Sequence, residues 1–379
     1  MSYLKKAKSS NPIVIIGSGL AGYTLVREIR KGDPNIPIRL ITADDGRYYS
    51  KPNLSTALTH NKTSVQLALF SAEKFAAQQN IEIITHTIIT AINPDTKTCV
   101  TTQGEFNYSS LILACGAKPI QLPNTTSAYH VNNLADYQQF REAITNKKHI
   151  AIIGTGLVGC EFANDLINAN YQVSMISPDQ YPLARLLPKI AGDKLKEAFL
   201  EKGVNFYLEK SVTSTTQNQI HLDNNNIINV DIILSAVGLQ PEIVLAKKSN
   251  IHTNKGIVVD QYLQTNQADI YALGDCAEVQ GKLMPYVAPL SVGARALAKT
   301  LLNQPTEVIY PPMPIYIKTP AYPMVVLLPP DNLQGEWQIQ TDKNAVKSLF
   351  YDHKNALSGF ILTATATVEA AELIKQIAQ

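Results

Sequence analysis

The chain has 379 residues, 45% of them hydrophobic, and a formal net charge of +2. This length exceeds what one ordinary hydrophobic core contains, so we expect two or three domains. The small net charge argues against a nucleic-acid-binding protein. The apolar runs at 13–16 and 150–153 are far shorter than the ~20 residues that a membrane-spanning helix needs.

The N-terminus superficially resembles a targeting segment, because Lys5, Lys6 and Lys8 precede an apolar stretch. That stretch runs directly into a glycine motif and lacks the small-residue cleavage pattern of a secretory signal. We therefore expect a cytoplasmic protein without stable membrane insertion.

The first predicted unit has a strand at 13–16 and a helical pattern at 23–30. Between them lies the turn Gly17, Ser18, Gly19, Leu20, Ala21 and Gly22. In such a turn the first glycine permits the sharp bend, the second lets backbone N–H groups approach a pyrophosphate, and the third allows close packing of helix on strand. A further strand at 38–42 completes a βαβ unit and predicts a parallel sheet.

An acid that binds the nucleotide ribose is expected directly after that second strand. Asp44 and Asp45 occupy this position. Asp44 lies 27 residues after Gly17, somewhat later than the typical ~20 residues. We take Asp44 as the predicted ribose ligand.

The second predicted unit repeats the pattern of the first. A strand at 150–153 leads into a turn with Gly154, Gly156, Leu157, Gly159 and, just beyond it, Glu161, followed by a helical pattern at 160–169 and a strand at 172–176. Two glycine turns in register after strands indicate two nucleotide sites. The second strand ends at Ser177-Pro178-Asp179 without a nearby cation except Arg185. We therefore expect NADH rather than NADPH, although the usual acidic anchor is missing from the strand end itself.

The rest of the chain divides at two similar strands, 111–119 and 232–241, that both end in Gly-x-x-Pro. The pattern predicts an α/β fold with two Rossmann-like doubly wound nucleotide-binding domains and a small α+β C-terminal domain. The expected boundaries are 1–116 and 240–311 for a discontinuous first domain, 117–239 for the second and 312–379 for the third.

The most specific segment is 268–277, Ala-Asp-Ile-Tyr-Ala-Leu-Gly-Asp-Cys-Ala. An acid directly after an apolar strand and a glycine, here Asp275, suits a carboxylate that accepts hydrogen bonds from a sugar-alcohol chain. Together with the two glycine turns and the strand Ala-Cys-Gly-Ala-Lys-Pro at 114–119, this order resembles the pyridine nucleotide-disulfide oxidoreductase superfamily over the whole chain.

Within that superfamily, the segments 41–55 and 315–320 are similar to those of rubredoxin–NAD reductases from alkane-hydroxylation systems. The resemblance implies that the first unit binds FAD, that Asp275 holds its ribityl chain, and that the second unit binds NADH. It also places Lys51 and Lys318 near the flavin. Related ferredoxin reductases carry a lysine where this chain has Thr56, so that contact is not transferred.

The cysteines bear on the route of the electrons. Disulfide-reducing enzymes of this fold use a close cysteine pair, whereas the cysteines here are scattered, at Cys99, Cys115, Cys160 and Cys276. The peroxide-reducing branch uses a cysteine in the region that corresponds to 41–70, which contains none. No metal site is indicated by the spacing of Cys and His either. We therefore expect the flavin itself, rather than a catalytic side chain, to carry the chemistry.

The resemblance implies transfer of electrons from NADH through FAD to rubredoxin, a small acidic iron protein, in supply of an alkane hydroxylase. An NADH-dependent ferredoxin or quinone reductase of the same fold is an alternative. A non-catalytic flavin or nucleotide sensor is an alternative of a different class. Reduction of bound flavin by NADH without turnover of any acceptor would favour the sensor.

Overall fold

A computed structural model describes residues 11–377, so the N-terminal lysines at 5, 6 and 8 lie outside the described residues. The chain forms two compact units. Unit 1 contains the chain up to Lys51, with Ala68–Lys118 and Leu239–Tyr310. Unit 2 contains Pro52–Leu67, Pro119–Gly238 and the chain from Pro311 onward.

A helix connects the first two parallel strands of each glycine-turn unit, as the sequence predicts, whereas several other parts of the chain are runs of consecutive strands. The first strands are β1 (Ile13–Ile16), β2 (Ile38–Ile41), β3 (Tyr48–Tyr49), β4 (Ala68–Phe70), β5 (Glu82–Ile84), β6 (Ile89–Asn93), β7 (Thr98–Thr101), β8 (Gly104–Asn107), β9 (Ser110–Leu113) and β10 (Ala117–Pro119). They are followed by β11 (His149–Ile153), β12 (Gln172–Ser177), β13 (Asn205–Leu208), β14 (Val212–Thr215), β15 (Gln219–Leu222), β16 (Ile227–Asn229), β17 (Ile232–Ser235) and β18 (Leu239–Pro241). The remaining strands are β19 (Ile257–Val259), β20 (Ile270–Ala272), β21 (Ala277–Val279), β22 (Lys282–Leu283), β23 (Ile315–Ile317), β24 (Met324–Leu327), β25 (Gly335–Thr341), β26 (Val346–Asp352) and β27 (Leu357–Thr363).

The α-helices are mostly short, and two connect the paired strands of the glycine turns. They are α1 (Leu20–Gly32), α2 (Ser64–Leu67), α3 (Ala72–Gln79), α4 (Leu134–Ala143), α5 (Leu157–Asn168), α6 (Lys189–Glu201), α7 (Val244–Lys248), α8 (Val287–Leu301) and α9 (Ala370–Ile377). Two 3₁₀ helices cover Lys51–Thr56 and Ala364–Glu369.

Unit 1 is built on a five-stranded sheet in the order β20-β9-β1-β2-β5, in which all neighbours are parallel. Its central strand β1 is buried along its whole length, as expected for a parallel sheet that is covered on both faces. Helix α1 packs against α8. Because β20 pairs with β9, the segment that carries Asp275 directly follows an edge strand of the first nucleotide-binding sheet.

Unit 2 contains the second parallel sheet, ordered β13-β12-β11-β17. It also contains the C-terminal antiparallel sheet β23-β24-β27-β26-β25, whose core side chains pack with α9. The predicted doubly wound architecture and the α+β C-terminal region are confirmed. Among residues 11–377, no helix combines the length and the apolar character needed to cross a membrane.

The same close contact, between the third and the first glycine, occurs in each of the two glycine turns. A Cβ atom on Gly22 would lie 2.2 Å from the carbonyl oxygen of Gly17, and a Cβ atom on Gly159 would lie 2.2 Å from that of Gly154. Both distances are far below van der Waals contact, so any side chain would push the helix off the turn. By contrast, a Cβ atom on Gly156 would meet nothing within 4 Å, and its φ of −76° suits any residue.

This difference predicts opposite effects of alanine at two positions of the second turn. Gly159→Ala should lower the free energy of unfolding by ~1–3 kcal/mol, because the methyl group overlaps a backbone carbonyl. Gly156→Ala should leave it unchanged or raise it by up to ~1 kcal/mol through a less flexible unfolded chain. Urea unfolding of the two variants measures both effects, and equal destabilisation would contradict the packing argument.

Candidate functional site

The first turn is joined to Asp44 through hydroxyl groups. Ser18 Oγ donates to Asp44 Oδ1 at 2.7 Å, and Thr42 Oγ1 donates to the same oxygen at 2.7 Å. The backbone N–H of Gly46 also donates to this oxygen, at 2.9 Å. Asp44 is therefore held at the carboxyl end of β2 beside the glycine turn, where an acid that binds ribose is expected. The roles of Ser18 and Thr42 in holding it are not visible from the sequence.

Asp275 lies next to the same turn. Gly274 has a φ of +84°, and a Cβ atom there would lie 2.8 Å from Cβ of Ala21, so the Gly-Asp segment packs directly on the start of α1. Burial raises the pKa of the Asp275 carboxyl, while the positive charge of Lys51 lowers it. The structure therefore brings Asp44, Asp275 and the first turn to one edge of the sheet.

These residues fit FAD. A Cβ atom on Gly19 would meet nothing within 4 Å, so the backbone at the start of α1 is open to a phosphate group, as pyrophosphate binding requires. The predicted turn residues Leu20 and Ala21 belong to the first turn of that helix. Asp44 and Asp275 place two carboxylates beside this turn, a pair of acceptors that suits the hydroxyl groups of FAD.

The second turn has unpaired hydroxyl groups. Thr155, inside the turn, is 1% exposed, and Ser235, at the end of β17, is 6% exposed. Neither side-chain oxygen has a hydrogen-bond partner, which is uncommon for buried polar groups. Ser235 is aligned with Ile153, directly before Gly154. Both hydroxyl groups thus lie at the turn, but neither oxygen is exposed, so a polar ligand such as a pyridine nucleotide reaches them only if the side chains rotate; the sequence analysis missed this feature.

The end of β12 carries an acid that the sequence analysis set aside. Ser177 Oγ donates to Asp179 Oδ2 at 3.0 Å and accepts from the Asp179 backbone N–H at 3.1 Å. This local turn folds the carboxylate back to the strand end, where it would disfavour a 2′-phosphate. Arg185 is exposed. An acid is therefore present two residues after the end of β12.

The predicted lysines are both engaged within their own units. Lys51 acts electrostatically on Asp275 in unit 1. In unit 2, Lys318 Nζ donates to the carbonyl oxygen of Pro52 and lies 3.7 Å from Glu161 Oε2. Glu161, predicted with the nucleotide turn, also accepts from Ser55 Oγ at 2.5 Å. The charge of Lys318 is thus partly compensated, so it is less suited to attract an acidic partner than an isolated lysine.

The cysteines are placed unfavourably for thiolate chemistry. Cys99, Cys160 and Cys276 are buried and Cys115 is partly buried, and no disulfide joins these four described residues. Burial raises the pKa of every one of these thiols, to about 12 for Cys99 and about 11 for Cys276. Because the thiolate is the reactive form, the thiols are unsuited to relay electrons at neutral pH. The fold nevertheless brings Cys115 near Cys276, which contributes to the raised pKa of Cys115, a proximity that their sequence separation conceals.

The placement of Asp275 predicts a loss of flavin in Asp275→Ala. A hydrogen bond between a carboxylate and a buried hydroxyl contributes ~1.5–3 kcal/mol, so FAD should dissociate ~10–150-fold more readily on dilution. Asp269→Asn is the matched control, because Asp269 precedes β20 at its other end and pairs with Lys97; its φ of +60° is one that Asn tolerates. Full flavin occupancy of diluted Asp275→Ala, measured by absorbance after gel filtration, would exclude this role.

The sequence is similar to known protein families and to proteins of known name. Residues 11–293 match the family described as pyridine nucleotide-disulphide oxidoreductase, and residues 307–377 match a rubredoxin binding C-terminal domain. Proteins named rubredoxin-NAD(+) reductase from Alcanivorax borkumensis and Acinetobacter baylyi are each 42% identical, covering 97% of this chain and 98% of theirs.

A solved structure with the same fold is the covalent putidaredoxin reductase–putidaredoxin complex. It has a TM-score of 0.88 and 22% identity, and covers 98% of this chain and 93% of that chain. At this identity the likeness concerns the fold alone. The family match spans both glycine turns and the Asp275 segment. This chain therefore belongs to the pyridine nucleotide-disulphide oxidoreductase family.

Proposed function

We propose that this protein is an enzyme that transfers electrons from NADH through FAD to rubredoxin. The observation that carries the proposal is the match of residues 307–377 to a rubredoxin binding C-terminal domain in a chain with two nucleotide-binding turns. Relatives at 42% identity over nearly the full chain carry the name of this activity. Neither a quinone reductase nor a sensor explains a rubredoxin-binding module.

The residues of the first turn and its neighbours are proposed to hold FAD. They are Gly17, Ser18, Gly19, Leu20, Ala21, Gly22, Asp44, Lys51, Asp275 and, by resemblance, Lys318. The N–H groups at the start of α1 would bind the phosphates, Asp44 would accept from ribose and Asp275 from the ribityl chain. FAD would supply the redox chemistry that takes two electrons as hydride from NADH and passes them on singly.

The residues of the second turn are proposed to hold NADH. They are Gly154, Gly156, Leu157, Gly159 and Glu161 from the sequence, to which we add Thr155, Ser235 and Asp179. The buried hydroxyl groups of Thr155 and Ser235 gain partners from the nucleotide, which removes the cost of leaving them unpaired. Asp179 favours a free ribose hydroxyl over a 2′-phosphate.

Three finer assignments belong to the same proposal. The FAD domain comprises 1–116 and 240–311, the NADH domain 117–239 and the C-terminal domain 312–379, although residues 52–67 of the first range pack with unit 2. The protein acts in the cytoplasm, and the reduced rubredoxin supplies an alkane hydroxylase, which the resemblance of segments 41–55 and 315–320 supports.

Alkane hydroxylation in a reconstituted mixture of NADH, this protein, rubredoxin and the hydroxylase tests the pathway. Normal rubredoxin reduction without alcohol formation would reject the pathway but keep the reductase.

The acceptor is tested by NADH oxidation in the presence of rubredoxin, ferredoxin, a quinone or ferricyanide. We expect rubredoxin to give the highest kcat/KM, because the C-terminal domain provides its docking surface. Ferricyanide serves as a positive control for flavin reduction. Faster turnover with ferredoxin or quinone at matched concentration would replace the proposed acceptor, and NADH-dependent flavin bleaching without any turnover would indicate a sensor.

Lys318→Gln tests the contribution of the Lys318 charge to docking. Glutamine removes the charge and keeps an N–H donor, but its side chain is one bond shorter than that of lysine, so the contact with the Pro52 carbonyl oxygen is weakened as well. The KM for rubredoxin should rise and its salt dependence should flatten, because steering between opposite charges weakens as the Debye length falls from ~10 Å at 0.1 M to ~3 Å at 1 M salt.

Flavin reduction by NADH in stopped flow is the internal control for this variant and should change little. Lys189→Gln is the matched variant, since Lys189 also pairs with an acid in unit 2, Asp193, but on α6. An unchanged KM and salt slope in Lys318→Gln would mean that rubredoxin docks without help from this charge.

A further inference from the structure

One face of α5 holds the backbone of two loops. Glu161, Asn164 and Asp165 are spaced i, i+3 and i+4, which places them on one side of the helix. Four backbone N–H groups from outside the helix donate to these three side chains: those of Leu58 and Thr59 to Asp165, that of Ala321 to Asn164 and that of Lys318 to Glu161. All of these residues belong to unit 2.

Asp165 makes the most complete of these contacts. Its Oδ2 accepts from the N–H of Leu58 and its Oδ1 from the N–H of Thr59, both at 2.8 Å. The hydroxyl group of Thr59 also donates to the backbone carbonyl oxygen of Asp165 at 3.2 Å. The residue is 2% exposed. One carboxylate therefore fixes two successive peptide groups of the segment that follows the first 3₁₀ helix.

Burying the Asp165 carboxylate beneath the helix costs desolvation free energy. Burial raises the pKa of Asp165, and the hydrogen bonds from Thr59 and Leu58 lower it only in part. An apolar side chain would fill the same space without that desolvation cost. What the carboxylate provides in exchange is a defined orientation of the Leu58–Thr59 backbone, since two short bonds leave the peptide planes little freedom.

The oriented segment leads to Lys318. Pro52, at its start, accepts the hydrogen bond from Lys318 Nζ, and Ser55 donates to Glu161, the acid that pairs with Lys318. Lys318 in turn lies within the stretch that matches a rubredoxin binding domain. On the same helix face, Asn164 holds Ala321 of that stretch at 3.0 Å. The helix face thus supports Lys318 from both sides.

We propose that Asp165 is a positioning residue for the rubredoxin step: by clamping Leu58 and Thr59 it holds Pro52, Ser55 and through them Lys318 in the arrangement against which rubredoxin docks. This inference rests on the proposed function. Asp165 acts only through the segment 52–59 and touches neither the partner nor the glycine turn.

The test is Asp165→Asn. The amide keeps the shape of the side chain but offers an N–H group to one of the two loop N–H groups, so one bond is lost. We expect kcat/KM for rubredoxin to fall about tenfold, mainly through KM, with flavin reduction by NADH unchanged within about twofold. Hydrogen exchange at the Leu58 and Thr59 amides should become faster.

Asp231→Ala is the control variant. Asp231 also accepts from two successive backbone N–H groups, those of Lys148 and His149 at 2.9 Å each, in the same unit but at the start of β11. Both bonds go to Oδ2, so asparagine would keep them by placing its amide oxygen there, whereas alanine removes them. Asp231→Ala should lower the melting temperature and leave rubredoxin kinetics at the wild-type level. A rise in the KM for rubredoxin in Asp231→Ala as well would mean that lost stability, and not the position of the 52–59 segment, explains the effect of Asp165→Asn.

Two milder variants keep the test decisive if Asp165→Asn does not fold. Thr59→Val removes the hydroxyl contacts with Asp165 but keeps the backbone N–H bond, and Ser55→Ala removes the hydroxyl bonds to Glu161 and to the Pro52 carbonyl oxygen. Each should raise the KM for rubredoxin in the same direction by a smaller factor, and wild-type KM values in both would overturn the proposal. Wild-type KM in a folded Asp165→Asn with accelerated loop exchange would also overturn it. Failure of the wild-type protein to reduce rubredoxin would instead reject the proposed function.

Discussion

The contact between the first and third glycines of each turn is the constraint on which the nucleotide sites depend. With 2.2 Å between the carbonyl oxygen of Gly17 and a Cβ position on Gly22, α1 lies closer to its strand than any side chain would permit. That approach aims the first N–H groups of the helix at the space beyond the strand ends. The same distance recurs at Gly154 and Gly159, so the helix approaches its strand equally closely in both units, as phosphate binding requires.

Three acids, Asp44 and Asp275 beside the first turn and Asp165 on α5, differ in how the protein stabilises their charge. The difference distinguishes an acid that holds the backbone from one that is suited to bind a ligand. Asp44 accepts from two hydroxyl groups and an amide, and Asp165 accepts from two amides. For Asp275, by contrast, burial raises the pKa and the Lys51 charge is the compensating influence. Hydroxyl groups of a ligand that donate to such a carboxylate would stabilise its charged form more than they would stabilise that of Asp44 or Asp165.

The sequence was sufficient for the elements whose signal is local. The strand at 13–16 was predicted with its observed bounds, and the strand predicted at 38–42 is one residue shorter as β2, because apolar runs bounded by glycine or proline are local properties. The helical pattern predicted at 23–30 is observed as α1, which begins earlier, at Leu20. Gly22 obscures this start, because glycine is a poor helix former.

The features that the sequence concealed all depend on distant partners. Nothing near Pro52 indicates that residues 52–67 join unit 2, since the segment is held by Asp165 and Glu161, more than 100 positions away. The pairing of Lys318 with Glu161 and the unpaired hydroxyl groups of Thr155 and Ser235 likewise arise only when strand ends meet. Asp179 could have been found, because a Ser-x-Asp sequence after a strand commonly forms a local side-chain turn.

The interleaving of the two units has a consequence for the order in which the protein takes shape during synthesis. The chain passes between units after Lys51, Leu67, Lys118, Gly238 and Tyr310, so neither unit is a contiguous stretch. The sheet of unit 1 begins at Ile13 but needs β20, and it cannot be complete until Ala272 has left the ribosome. The parallel sheet of unit 2 begins later, at His149, yet its last strand ends at Ser235. The second nucleotide-binding sheet is therefore fully synthesised while the first still has an open edge at β9, where an exposed strand can pair wrongly.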